Sequence, residues 1–318
     1  MAYTAGDSIL DDEYNDFVGK ATSPFGYNHF AGTGSGEYGL NQSAIATVSA
    51  GGTITASSWN SLFTGLDNIA NHTNVSITSS SVSAGDAIAV RSALISDLAS
   101  LAAAVAAGST SATAIATPAA AGSSSNSATW NATSTIERSI TFANSATMRA
   151  FFNAGGYIRI DPSCTTGIDG SKDDVFNDLT TTAIGNLDLK AHISTRSGSG
   201  ESLTTNGLAN GFHELSTGYT VLLKLTSDNS GYTSNTVEIS AKLDAAPATA
   251  TVLTIKMVST DPADDTLYTA GNLDSVPANP NEAPRMVLAL LEAYPTNAQG
   301  LAADIRAASN AEVSNSTS

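Results

Sequence analysis

Residues that could do chemistry are few in this sequence, and none stands in a pattern that specifies a reaction. The stretch GSGEYG, residues 34–39, has the glycine spacing of a dinucleotide-binding loop. Such a loop needs a preceding strand and a following helix, because the helix N-terminus binds the pyrophosphate. The flanking residues are an aromatic loop and NQSAIAT, which contain no such unit. The match therefore predicts no nucleotide site.

Candidate metal ligands are dispersed along the chain. The histidines are His29, His72, His192 and His213. None is three or four residues from another, the spacing that places two ligands on one helix face. The acidic loops DGSKDD, 169–174, and DPADD, 261–265, lack the alternating ligands and closing Glu of an EF-hand. We therefore expect neither a metal nor a cofactor.

No nucleophile has an activating neighbour in the sequence. A GxSxG elbow is absent, and no Ser, His and acid occur together in a context that would activate the Ser. Cys164, the only cysteine, lies in DPSCTTG without a helix N-terminus to lower its pKa, so we expect an inert thiol. A single cysteine also excludes an intrachain disulfide. We predict that the protein is not an enzyme.

Charge and composition exclude two classes of partner. The chain has 13 basic and 29 acidic residues, for a formal net charge of −16, and its cations are scattered along the sequence. Because such a surface repels phosphate backbones, we expect no nucleic-acid partner. The most apolar run, LISDLASLAAAVAAG, is interrupted by Asp97 and is too short to span a bilayer, so we expect no membrane partner. Abundant Ser, Thr, Ala, Asn and Gly are typical of β-rich assemblies.

The first part of the chain, residues 1–107, is predicted to be a helical docking region. In TITASSWNSLFTGLDNIANHTN, Thr55 is an expected N-cap. Trp59, Phe63 and Leu66 lie on one stripe of this helix, as candidates for an N-terminal interface or, equally, an internal core. A second helix is predicted from about 86 to 107. Its apolar residues recur at sevens, which favours a helical hairpin or a seam between copies formed by Ile88, Ile95, Leu98 and Leu101.

The rest of the chain predicts an antiparallel β-sandwich. Residues 108–128 are a Ser/Ala/Thr-rich stretch without periodicity, typical of a flexible linker. Residues 129–318 contain short alternating runs separated by Gly, Asp, Asn and Pro turns, and end in a polar tail. The fold class expected is therefore α+β, with an N-terminal helical region followed by a mainly antiparallel β-sandwich.

One strand–helix–strand insert interrupts this sandwich, at SITFANSATMRAFFNAGGYIRID, residues 139–161. Asn144 is a candidate N-cap, and Phe151 and Phe152 are assigned to the sandwich core. Gly155 or Gly156 supplies the positive φ that commonly closes a helix. The segment is interpreted as architectural, since none of its residues stands in a pattern of a catalytic or metal-binding site.

Four stretches resemble structural proteins of tailed-bacteriophage virions. The phrase ITFANSATMRAFFNAGGYIRI resembles a segment recurrent in that family. The resemblance extends to SILDDEYNDFV and GGTITASSWNSLFTGLDNIANH near the start, and to NTVEISAKLDAAPATATVLTIKMVSTDPADDT followed by GNL near the end. It implies a non-enzymatic, multicopy component of a virion, assembled in the cytoplasm of a host bacterium, whose partners are copies of itself and other virion proteins.

The position in the virion stays open at this point. The resemblance favours the tail apparatus, meaning tail, baseplate or fibre assembly. One alternative is a capsid decoration or head-fibre protein. Another is a receptor-binding module for a host-surface glycan, using exposed aromatics such as Tyr219, Tyr232 and Tyr268.

Overall fold

A computed structural model gives the fold of the chain. It describes residues 11–22, 25–32, 39–83, 91–126, 130, 132–165, 171–229, 232–262, 285–297, 301 and 304–317. Two compact units are present. The helical unit comprises Met1–Thr117, Ala146–Gly156 and Tyr294–Arg306, and the sandwich unit comprises Pro118–Ser145, Tyr157–Ala293 and Ala307–Ser318. The chain therefore passes between the units five times, whereas the sequence predicted a single boundary.

Among the described residues, five α-helices contribute to the helical unit. They are α1 (Asp11–Gly19), α2 (Tyr27–Ala31), α3 (Ala56–Thr73), α4 (Arg91–Ala106) and α5 (Ser145–Asn153). The predicted N-cap of α3 is confirmed: the Thr55 hydroxyl accepts from the N–H of Ser58, and the Ser58 hydroxyl accepts from the N–H of Thr55, a capping box. No helix in the described part of the chain is both long and apolar enough to cross a bilayer.

Side-chain amides hold extended segments against these helices. One asparagine on each of α1, α2 and α3 donates to the C=O and accepts from the N–H of one residue in an extended stretch, at distances of 2.7–2.9 Å. The pairs are Asn15 with Val48, Asn28 with Ile45, and Asn60 with Val82. Each amide thus satisfies backbone groups that lack a strand neighbour.

Asp97 on α4 performs a related task. Its carboxylate accepts from the N–H groups of Thr78 (3.1 Å) and Ser79 (2.8 Å) and from both hydroxyls. Burial raises the pKa of Asp97, but these hydrogen bonds outweigh it, so the pKa lies below its ordinary value. The aspartate that interrupts the apolar run is therefore a structural anchor.

The sandwich unit contains two antiparallel sheets. Its strands are β1 (Ala119–Ser125), β2 (Thr133–Thr141), β3 (Tyr157–Thr165), β4 (Leu187–Leu189), β5 (Ser194–Arg196), β6 (Ser202–Asn206), β7 (Thr220–Thr226), β8 (Thr236–Leu243), β9 (Val252–Thr260), β10 (Arg285–Ala293) and β11 (Ser309–Thr317). The five-stranded sheet has the order β1-β10-β3-β4-β5, and the six-stranded sheet has the order β11-β2-β9-β8-β7-β6. The predicted α+β class with a β-sandwich is confirmed.

Alternation along the strands defines the sandwich core. In β2, Ser134, Ile136, Arg138 and Ile140 are buried and the residues between them are half-buried. Register places Ile136 beside Met257 of β9, which in turn lies beside Ile239 of β8. A helix α6 (Ser171–Asn177) followed by a π-helix (Asp178–Ile184) lies between β3 and β4 in the chain.

Two regions predicted to be irregular are strands. Residues 119–125, AAAGSSS, lie in the predicted linker but form β1 and pair with β10. Residues 309–317, which include most of the predicted polar tail SNSTS (314–318), form β11 and pair with β2. Both sequences are almost uniformly small or polar, so they show no alternation. Backbone hydrogen bonds to β10 and β2 make these segments strands, although their composition shows no strand pattern.

The segment 139–161 forms the predicted strand, helix and strand, but its helix belongs to the helical unit and not to the sandwich. Phe151 and Phe152 are fully buried, and α5 belongs to the helical unit from Ala146 onward. The assignment of these rings to the sandwich core was therefore wrong. In the helical unit, Nε2 of His72 on α3 lies 2.8 Å from the carbonyl oxygen of Ala154.

The double glycine closes α5. The N–H of Gly156 donates to Phe151 O (2.9 Å), and the N–H of Gly155 donates to Phe152 O (3.0 Å). With φ of +86° at Gly155, this is a Schellman motif, and the positive φ that was predicted at Gly155 or Gly156 lies at Gly155. A Cβ on Gly156 would lie 2.6 Å from Phe151 O, so both glycines are required. Asn144, the predicted N-cap, directly precedes the helix.

Candidate functional site

The candidate N-terminal interface residues are core residues of the helical unit. Trp59, Phe63 and Leu66 are 2%, 7% and 0% exposed. The Trp59 ring lies 5.3 Å from Tyr14 in a T-shaped arrangement and 5.8 Å from Phe63. Of the two roles that the stripe allowed, the internal core is the one observed.

The predicted oligomer seam is not available on the described surface. Leu98 and Leu101 are 3% and 0% exposed, and of the seam residues that the structure describes only Ile95, at 38%, reaches solvent. Ile88 lies outside the described residues. α4 packs on α3 within the chain. The recurrence of apolar residues every seven positions therefore fits the helical hairpin, the other interpretation that the sequence allowed.

The three tyrosines suggested for glycan binding do not form an exposed aromatic platform among the described residues. Tyr232 is 2% exposed, and Tyr268 lies outside the described residues. Tyr219 is half-buried, and lysine ammonium groups lie against its ring. None of the three therefore presents an open aromatic face among the residues described.

The GSGEYG loop, the cysteine and the candidate metal ligands form no reactive site in the described part of the chain. Most of GSGEYG lies outside the described residues. Cys164 is buried, and burial together with the nearby charge of Asp173 raises its pKa to about 12, so at neutral pH it is an unreactive thiol. In the described part of the chain, no group of three or more His, Cys, Asp or Glu residues is arranged to hold a metal ion.

Two histidines nevertheless come together. The rings of His192 and His213 stack with centroids 4.8 Å apart, and Nδ1 of His192 lies 3.3 Å from Oε1 of Glu214. Oε2 of Glu214 accepts from the N–H of Gly211 at 2.8 Å. This arrangement ties the loop after β4 to the 3₁₀ turn before β7, a contact that residue spacing could not foretell.

A buried arginine joins the edges of the two sheets. Arg138 of β2 is 6% exposed, and its guanidinium donates to Oγ of Ser124 in β1 and to Oδ1 of Asn310 in β11. Burial lowers the pKa of Arg138 and the charge of Glu312 partly offsets that effect. Gly122 makes room for the guanidinium, because a Cβ there would lie 2.9 Å from Asn310 Oδ1 and closer still to Arg138.

Glu201 forms a carboxyl cluster with Asp178 and Asp228. Its Oε2 accepts from the N–H of Asp228 at 2.5 Å. Burial, a hydrogen bond with Asp178 and the charges of both aspartates raise the pKa of Glu201 to about 7, against the effect of the Asp228 N–H. Glu201 therefore titrates near neutral pH, beside two aspartates that are distant from it in sequence.

The most distinctive surface feature is a lysine–tyrosine cluster, consisting of Tyr219, Lys242 and Lys256. The Nζ atoms of Lys242 and Lys256 lie 4.4 Å and 3.8 Å from the centroid of the Tyr219 ring, within cation–π range. Glu137 of β2 pairs in register with Lys256 of β9. Burial, then the Glu137 charge, raises the pKa of Tyr219.

The cluster lies on the outward face of the six-stranded sheet. Lys242, Lys256 and Glu137 are half-buried and alternate with the buried residues of β8, β9 and β2. The sequence suggested that the cations were scattered, which is wrong for this face. Strand register brings the lysines together, and register between distant strands cannot be read from their spacing in the chain.

No protein-family model, no curated protein and no solved structure matches this chain.

Proposed function

We propose that this chain is a non-enzymatic structural component of a tailed-bacteriophage virion, built in several copies into the tail apparatus. The proposal starts from the resemblance of residues 140–160 to virion structural proteins. The observation that carries it is the place of this segment in the fold. Its two strands belong to the sandwich unit and its helix belongs to the helical unit, so the segment is an architectural junction.

The chemistry of the described residues supports a structural role. The cysteine thiol has a pKa of about 12, and His72 is buried against a backbone carbonyl. The charged groups that come together, at Arg138 and Glu201, are arranged as structural links between strands and loops. The groups with the most unusual environments therefore hold the chain together.

Virion particles of the phage that encodes this chain provide the test. We expect mass spectrometry of purified particles to find its peptides, and immunogold labelling to mark the tail at a defined position. Labelling on the head would replace the tail assignment with a capsid decoration or head-fibre role. Particles that lack the protein would contradict the proposal as a whole.

A further inference from the structure

Among the described residues, the lysine–tyrosine cluster brings two ammonium groups together with one nearby carboxylate, that of Glu137, so its positive charge is only partly balanced. Lys224, on the same sheet, forms an ion pair with Glu238, with an Nζ–Oε2 distance of 3.4 Å. Lys242 and Lys256 have no such partner within 4.0 Å among the described residues, although Glu137 lies opposite Lys256 in register. Their ammonium groups contact the face of the Tyr219 ring instead.

This charge is unusual for the molecule. The chain has 29 acidic residues and 13 basic ones, so most of the charged groups that a second copy can present are carboxylates. Two ammonium groups placed over one ring attract an anion and repel another cation, because their fields add at the point between them. The ring keeps both groups at fixed positions, which lowers the entropy cost of engaging a ligand.

We propose that the lysine–tyrosine cluster is a carboxylate-binding site and that its occupant is an acidic side chain on a second copy of this chain. Lys242 and Lys256 provide the charge-assisted hydrogen bonds, and Tyr219 fixes their positions. The inference rests on the proposed multicopy function, since it assigns one of the contacts between copies.

Thr and Ser residues surround the cluster and suit such a contact. On β2 and β9 the half-buried residues of this face include Thr135, Ser139 and Thr260. Short side chains permit close approach of a second surface, and their hydroxyls both donate and accept hydrogen bonds. At physiological ionic strength the Debye length is about 8 Å, so the overall repulsion between acidic copies is screened while contacts at hydrogen-bond distance persist.

Self-association of the purified full-length chain tests the proposal. Sedimentation velocity in about 0.15 M salt would compare the wild type with a Lys242→Met, Lys256→Met double variant. Methionine retains an apolar stem to cover Tyr219 and removes the ammonium group. We expect the dissociation constant between copies to rise roughly tenfold or more. A Lys242→Arg, Lys256→Arg variant should retain association, because guanidinium groups also bind carboxylates.

The matched control changes net charge equally and leaves the cluster intact. A Lys20→Met, Lys190→Met variant also removes two positive charges, and both residues lie outside the outward face of the six-stranded sheet. Its association should equal that of the wild type, and thermal melting should show all variants folded. Equal weakening in the control would show a general charge effect and contradict the proposal.

Two further results would overturn the inference. One is a wild type that stays monomeric at every concentration, which contradicts a second copy as the partner. The other is unchanged association in the double methionine variant combined with lost binding of a uronic-acid oligosaccharide, which would make the site a glycan site. Either result leaves the labelling of virions as a separate test of the proposed function.

Discussion

The imidazole of His72 should make the stability of the helical unit depend on pH. The ring is 0% exposed, and Nε2 donates to the carbonyl oxygen of Ala154 at 2.8 Å. This bond places the single proton of the neutral ring on Nε2, while the buried Nδ1 has no hydrogen-bond partner among the residues that the structure describes. Protonation would create a charged donor without an acceptor, so burial lowers the pKa of His72, although the Ala154 bond partly offsets the effect.

The sign of the dependence follows from that shift. The unfolded chain takes up a proton near the ordinary histidine pKa of 6.5, and the folded chain does so only at lower pH. Stability is therefore unaffected by this group at high pH and falls as the pH drops from 6.5 toward the folded pKa. Each unit between the two pKa values costs about 1.4 kcal/mol.

A His72→Gln variant isolates the effect. Glutamine can still donate to Ala154 but cannot ionise, and the lost ring contacts should cost about 1–2 kcal/mol at every pH. We expect the wild type to be the more stable at pH 8 and its advantage to shrink toward pH 5, by at most about 2 kcal/mol, because pH 5 lies about 1.5 units below the unfolded pKa of 6.5. The difference between the two proteins cancels the contributions of the other titrating groups.

Urea denaturation followed by tryptophan fluorescence measures these free energies. Trp59 lies in the core of the helical unit, and a Trp130→Phe background leaves it as the sole reporter, since the chain has two tryptophans. Parallel pH profiles for the two proteins between pH 8 and pH 5 would refute the reasoning. They would mean that His72 ionises as easily in the folded protein as in the unfolded chain.

Three other perturbations have defined outcomes. Gly122→Ala should destabilise the sandwich unit by about 1–3 kcal/mol, because the added methyl group meets the Arg138 guanidinium; a thermal melt no lower than that of the wild type would contradict this. Glu201 has its pKa raised to about 7, so stability should fall as the pH rises from the ordinary glutamate value toward 7; Glu201→Gln should abolish the fall in urea titrations. Asn60→Ala should cost about 1–3 kcal/mol and accelerate hydrogen exchange at the Val82 amide, whereas unchanged exchange would exclude the amide pair as its protection.

Periodicity predicted the elements that have contrasting faces. The stripe of α3 from Trp59 onward and the alternation of β2 were visible because their apolar residues recur at 3.6 and 2 residues. The Schellman closure at Gly155 followed from residue type alone. By contrast, AAAGSSS offers no contrast between faces, and only its pairing with β10 makes it a strand.

Strand pairing and packing between distant parts of the chain produced the features that the sequence did not show. Phe151 and Phe152 were recognised as a buried pair, but their partners lie in a helical unit assembled from three separate stretches of chain. Likewise, Lys242 and Lys256 become neighbours through the pairing of β8 with β9, combined with the position of Tyr219 before β7. Local patterns specify faces, whereas long-range pairing specifies which faces meet.

The interleaved route of the chain sets an order on its folding during synthesis. The helical unit includes α5 and also Tyr294–Arg306, where the N–H of Thr296 donates to Ala114 O at 3.0 Å. A ribosome adds about 5–20 residues per second, so the helices near the N-terminus wait for many seconds before their last partners emerge. During that interval part of their apolar surface lacks its final cover. Chaperone binding to nascent chains should therefore be strongest before residue 306 leaves the ribosome and should decline afterwards.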